Sequence, residues 1–382
     1  METLARETGG KSYKAHKYSL DYAERPQIDY GDKEIIWRKA AETVKHRKNV
    51  DLSMMCQRIA ERDNQILSYF LDGSRRVFKV DDIAYPQSGR RSGVYPAVAG
   101  QIGVGCCKRV GREMVPEKFR REIVLSLPSI ADADGVPGFF PAMAKKLSAC
   151  GSMKRAGVEF SAILSYPTSK SEEQKYEDFA TARIQERMME CEKELVEELV
   201  CEGKLNQNNY LIKDGSLEYK PSKKDRKNKR QYQTFKNNYN WVLGVSKNFS
   251  PEICKDINGR SNPGVIAELP LYHRTPVACY ESSILGDVQF AIWYVRLRDQ
   301  KKTLTPFDGV IKVEKILVTD DEISGGMDSN LVDMLSAYLI NERSPVCYGS
   351  DLRWANHLYP VYLTETFVKS KCLGTASFLH LF

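Results

Sequence analysis

Two stretches carry residue types that could do chemistry. Residues 65–74 and 209–217 each run apolar and aromatic before reaching Asp-Gly-Ser, at Asp72-Gly73-Ser74 and at Asp214-Gly215-Ser216. A carboxylate at the end of each of two core strands converges on one point when the strands are neighbours. A Glu from a helix packed on them completes an oxygen-rich pocket of the kind Mg²⁺ and Mn²⁺ prefer. Two such ions can activate a water and stabilise the leaving oxygen of a phosphodiester. The glycine after each Asp permits a tight turn and close approach of a nucleic-acid backbone.

The elements that must position these acids can be read from periodicity. Residues 1–35 form a polar, Tyr- and Lys-rich arm, and residues 33–63 have a helical pattern, with Ile35, Ile36, Trp37, Ala40, Ala41 and Val44 near 3.6-residue spacing. The first Asp-Gly-Ser ends a short strand. Runs at 76–80, 94–107 and 121–127, rich in Val, Ile, Tyr and Phe, continue as an antiparallel meander. Residues 171–202 lack Gly and Pro and are rich in Glu, Lys, Met and Leu, which predicts a long helix. Strands follow at 209–217, 241–247, 288–298 and 309–318, and a helix at 327–341. The expected division is an N-terminal arm and helix over 1–64 and an α/β domain over 65–382, with an insertion at about 130–170.

Composition excludes several classes. The 382 residues are 42% apolar and 28% charged, which is globular rather than disordered. Ten cysteines include no C-x-x-C pair, which argues against a zinc site and fits reduced thiols in a cytoplasmic protein. Residues 1–23 have no apolar core of a signal peptide, and the weakly polar run 94–107 is too short to span a membrane. Gly9-Gly10-Lys11-Ser12 lacks the leading glycine of a P-loop, because position 5 is Ala5, so ATP hydrolysis would have to come from a partner. Asp132 and Asp134 lack calcium-loop spacing, and Gly103 and Gly105 lack the third glycine of a dinucleotide fingerprint. The net charge of +7 is concentrated: Lys220, Lys223, Lys224, Arg226, Lys227, Lys229, Arg230 and Lys236 face Asp225 alone between 220 and 240. Tyr232, Phe235 and Tyr239 are interleaved there. Such a segment is either a strap on a nucleic-acid backbone or a solvated loop.

Four islands in order, Tyr69 to Arg75, Leu211 to Leu217, Val242 to Lys247 and Leu358 to Leu363, resemble the successive motifs of the NurA nucleases. The resemblance implies an α/β fold with an RNase H-like core, a mixed sheet flanked by helices, and Mn²⁺- or Mg²⁺-dependent cleavage of DNA. It also implies a homodimer working with a HerA-type hexameric ATPase in DNA end processing or antiviral defence. Carried over residue by residue, it makes Asp72 and Asp214 metal ligands. The helical glutamate is then one of Glu186, Glu190, Glu194 and Glu197, with Glu190 best placed beside Met188 and Met189. Lys247 becomes a phosphate contact. The family's Ala-His pair after Tyr-Pro is missing, since Glu365-Thr366-Phe367 stands there, so His357 or Glu365 takes that corner as a catalytic group. This departure leaves open a second function class, a catalytically degenerate DNA-binding adaptor of such an ATPase. A third possibility is an RNase H-like enzyme acting on RNA.

Overall fold

The computed structural model describes residues 1–13, 17–21, 35–44, 48–61, 65–86, 92–132, 138–169, 174–217, 235–256, 258–282, 288–345 and 352–382. Among these, fourteen strands join one sheet. Four come early: β1 (Lys11–Ser12), β2 (Tyr18–Ser19), β3 (Ile35–Ala40) and β4 (Val50–Asp51). A meander of long strands follows, β5 (Leu67–Pro86), β6 (Ser92–Val110) and β7 (Glu113–Pro128), and then β8 (Ala162–Tyr166). After the helix Tyr176–Cys201 come β9 (Tyr210–Asp214), β10 (Val242–Ser246), β11 (His273–Arg274), β12 (Ala278–Ser282), β13 (Gln289–Arg296) and β14 (Val310–Ile316).

The central path is β3-β12-β13-β14-β10-β9-β5-β6-β7-β8. Within it β5, β6 and β7 pair antiparallel. The long helix then crosses back, so that β9 pairs parallel with β5 and β10 parallel with β9. Three antiparallel strands, a crossover helix and two parallel strands inserted on the far side of the first make the RNase H-like core expected from the sequence. Strand β14 continues antiparallel from β10 on one side, and β8 pairs parallel with β7 on the other.

Side-chain alternation along the strands gives the sheet two covered faces. Leu71 and Val104 pack with Ile184, Met188, Cys191 and Leu195 of Tyr176–Cys201. Phe70, Ile212 and Val245 pack on the opposite face with Leu335 and Leu339 of the helix Ser329–Asn341 and Val361 of the helix Tyr359–Ser370. The expected insertion is structured: helices Phe139–Ser148 and Gly151–Ala156 lead into β8, and Met143 and Leu147 join a third apolar cluster with Phe378.

Two expectations are corrected. Residues 33–63 do not form one helix: Ile35–Ala40 is strand β3 on the edge of β12, and among the described residues of this range only Ser53–Ala60 is helical. A run of β-branched and aromatic residues fits a strand as well as a helix over so few positions, and an available sheet edge decides it. Nor does the first core strand stop at Asp72. It runs on to Pro86 because Asp72 and Gly73 are already paired with Gly105 and Val104 of β6. The polar arm is likewise docked at its start, with Leu4 and Ala5 of the helix Glu2–Glu7 fully buried.

No helix among the described residues is long and apolar enough to cross a membrane. All nine described cysteines are free thiols.

Helix Tyr359–Ser370 can lie close on the sheet because Gly103 and Gly105 present no side chain. A Cβ on Gly105 would stand 2.7 Å from Val368 Cγ2. Gly105→Val suits a strand but is expected to push this helix away, lowering stability by about 1–3 kcal/mol. Urea unfolding with unchanged midpoint would show that the helix does not depend on this seat.

Candidate active site

Alternation that buries Phe70 also points Asp72 toward the face covered by Tyr359–Ser370. On β9, Ile212 and Asp214 share that face while Lys213 points to the other. The parallel registers place Leu71 beside Lys213 and Asp214 beside Val245, which brings the ends of β9 and β10 level with Asp72. Lys247 follows β10 on the same side, and Glu365 comes down from the helix. Lys247 Nζ lies 2.8 Å from Asp214 Oδ2 and 3.6 Å from Glu365 Oε2. Glu365 Oε1 also takes Lys369 Nζ at 2.5 Å.

Asp72 is buried at 6% exposure and forms no ion pair among the described residues. Burial, and then the charges of Asp214 and Glu365, push its carboxyl well above the usual aspartate range; Lys247 offsets this only in part. Burial alone would lower the Lys247 ammonium, but Asp214, Glu365 and Asp72 together raise it. Burial would raise Glu365, but Lys247, Lys369 and His357 outweigh it and hold the carboxyl low.

A fourth carboxylate approaches from the opposite face. Glu192 is buried at 3% exposure, and its Oε1 occupies the space over Gly73, where a Cβ would collide with it. Lys213 Nζ lies 3.0 Å from Glu192 Oε2 and donates to the Asp214 carbonyl at 2.9 Å. Burial raises the Glu192 carboxyl despite Lys213, and its charge reaches Asp72 through the glycine gap.

This corrects the helical glutamate. Glu190 does not reach the centre: its side chain is 51% exposed and pairs with Arg187 at 3.1 Å. Glu186 pairs with Arg183, Glu194 with Arg120 and Arg187, and Glu197 is exposed. The signal for Glu192 was present in the sequence. It lies four residues after Met188 and between Cys191 and Leu195, an acid set into the apolar stripe of the helix.

Of the two candidates for the C-terminal corner, Glu365 meets Lys247 directly. His357 is buried, with its backbone carbonyl accepting from Ser344 N at 3.0 Å and its charge acting on Glu365. Lys247, expected as a phosphate contact, bridges two carboxylates in this structure. The turn after Asp214 is fixed by Gly215 at φ 91° and by Glu314, whose Oε2 accepts from Ser216 Oγ and Leu217 N, both at 2.8 Å. Lys312 pairs with the other Glu314 oxygen at 2.7 Å. The basic segment with Lys223, Lys224, Arg226, Lys227, Lys229 and Arg230 begins just beyond this turn and lies outside the described residues.

The donor set suits a divalent cation in type and charge: carboxylates from Asp72, Asp214, Glu365 and Glu192 outnumber the ammoniums of Lys247, Lys213 and Lys369. Among the described residues, however, no three His, Cys, Asp or Glu side chains are close enough together to hold one ion. Their present spacing is that of an ion-paired cluster with Lys247 between two of its acids.

No family model matches the chain, and no curated protein matches it. Among solved structures, the chain is similar to the NurA nuclease from Sulfolobus solfataricus. The match has 13% identity and a TM-score of 0.40, and covers 87% of this chain and 81% of the other.

The raised Asp72 carboxyl carries a pH signature. The folded protein binds this proton more tightly than the unfolded chain. Its contribution to stability is therefore full below the usual aspartate value of 3.8 and is lost as pH rises through the raised folded value. In metal-free buffer Asp72→Asn is expected to raise Tm at neutral pH by roughly 2–4 °C, and to raise it less at acid pH. A gain independent of pH, or a loss at neutral pH, would contradict the charge crowding described here.

Proposed function

We propose that the chain is a metal-dependent nuclease that hydrolyses phosphodiester bonds in DNA. The observation that carries this reading is the convergence of Asp72 and Asp214, from adjacent parallel strands, with Glu365 on one face of an RNase H-like core, where Asp72 forms no ion pair among the described residues. Asp72, Asp214 and Glu365 would hold Mn²⁺ or Mg²⁺, with Glu192 behind the Gly73 gap. A bound cation would supply Lewis-acid polarisation of the phosphodiester and offset its developing charge.

The protein's own groups then have defined tasks. Asp72, whose carboxyl burial and its acidic neighbours raise, would serve as a ligand in its ionised form. Lys247 leaves Asp214 and Glu365 and meets a phosphate oxygen as a point charge. Lys213 keeps the Asp214 main chain in place through its carbonyl. Glu314 fixes the turn that leads into the basic segment, whose Lys223 to Arg230 cations would track the DNA backbone. A HerA-type hexameric ATPase as partner, a homodimer, and a role in DNA end processing or defence extend the proposal on the sequence resemblance alone.

The Lys247 bridge favours a second reading, a DNA-binding adaptor whose acids are neutralised from within. The two readings separate on Mn²⁺-dependent degradation of labelled duplex and single-stranded DNA. The nuclease should lose about 10²- to 10³-fold in rate on Asp72→Asn or Asp214→Asn. Glu192→Gln should impair it while Glu190→Gln leaves it near wild type. Mn²⁺ should also raise Tm by mass action. An adaptor shows neither cleavage nor a Mn²⁺ shift.

A further inference from the structure

We propose that Arg298 and Arg343 form a second site, one that grips a phosphate of the nucleic-acid backbone beside the carboxylate centre. Arg298 follows β13, and its guanidinium donates to the Ser344 carbonyl and stacks on Trp354, with 5.3 Å to the ring centroid. Arg343 donates to Ile340 O at 2.8 Å and stacks on Tyr272 at 5.0 Å. Tyr272 is held at φ 58°, a left-handed conformation that disfavours an aromatic residue. Its N–H donates to Arg296 O at 3.1 Å and its carbonyl accepts from Leu52 N at 3.0 Å.

The two guanidiniums act on each other, with no carboxylate paired to either among the described residues. Neither forms an ion pair among the described residues, and Arg298 Nε–H is buried without a hydrogen-bond partner. Burial first and Arg343 second lower the Arg298 guanidinium, with Tyr272 opposing them. Two planar cations oriented by aromatic rings, with a donor still unused, match the fork geometry that recognises phosphate.

The position points to a strand that also meets the carboxylates. Leu297 and Arg298 both donate to Gly309 O, and Gly309 N donates to Asn356 Oδ1 at 2.5 Å. Asn356 Nδ2 in turn donates to the carbonyl of Lys247 at 2.9 Å, so one set of hydrogen bonds ties the Arg298 turn to Lys247. The same Ser344 that accepts from Arg298 donates its N–H to His357 O. The two sites are therefore joined by one chain of hydrogen bonds. The source of the phosphate rests on the nuclease reading; the anion site itself does not.

The test measures binding rather than cleavage. Full-length protein in chelator is titrated with a fluorescent single-stranded oligonucleotide over a range of salt, with inorganic phosphate as competitor. Arg298→Gln and Arg343→Gln are each expected to weaken oligonucleotide binding about 5- to 10-fold and to reduce the salt slope by about one. Inorganic phosphate should compete in the wild type and not in the double variant. If Arg298→Gln fails to fold, Arg298→Lys keeps the charge without the fork and should bind more weakly at a near-normal slope. A folded double variant with unchanged affinity and slope would overturn the proposal. Loss of phosphate binding with unchanged oligonucleotide binding would overturn its assignment to the strand. Cleavage is not read, so a protein that binds through this pair and never cuts DNA refutes only the nuclease reading.

Discussion

The rest of the structure is arranged around one electrostatic constraint: Asp72, Asp214 and Glu365 are held on the same covered face of a sheet with one ammonium, Lys247, between two of them. Like charges in a low-dielectric setting repel strongly unless a proton, a cation or a neighbouring ammonium intervenes. Here burial and the neighbouring acids raise the Asp72 carboxyl, Lys247 bridges Asp214 and Glu365, and Lys369 caps the outer oxygen of Glu365.

That crowding is possible because the surrounding backbone is unusually close-packed at a few glycines. Gly105 and Gly103 let the helix with Glu365 settle on β6, and Gly73 lets Glu192 press against β5 from behind. The two faces therefore act on one point through a single layer of backbone. Lys213 links them, since it pairs with Glu192 on one side and holds the main chain of Asp214, whose carboxylate lies on the other. The buried pair Lys312–Glu314 does similar work one strand further out, fixing the turn after Asp214. Buried ion pairs contribute little net stability, and these two hold in place the residues on which the proposed chemistry rests.

Much of this was legible in the sequence. Asp72 and Asp214 stand out because an apolar run ends in the same Asp-Gly-Ser twice, and strand alternation does bring them to one face. The long helix, the meander and the strands that follow were visible as changes of period and composition. Other features were not legible. Ile35–Ala40 has a pattern compatible with either structure, and the edge of β12 makes it a strand. Asp72 was expected at a strand end, whereas β5 continues because β6 pairs with it past that point. Glu192 stood outside the four expected glutamates, although it interrupts the apolar stripe of Met188, Cys191 and Leu195 that the helix buries.

By itself, the sequence determined which chemical groups are available: two strand aspartates, several glutamates on one long helix, His357 and Glu365 near the C-terminus, and a concentrated basic segment. Local periodicity also set the elements that carry them, since alternation and helical spacing depend on residues close along the chain. Only the tertiary structure decided which acids meet, that Lys247 lies between them, and that Arg298 and Arg343 stand together. Those outcomes depend on which helix covers which face of the sheet and on the register of strands far apart in sequence. Such long-range packing sets burial and charge proximity, and no local pattern encodes it.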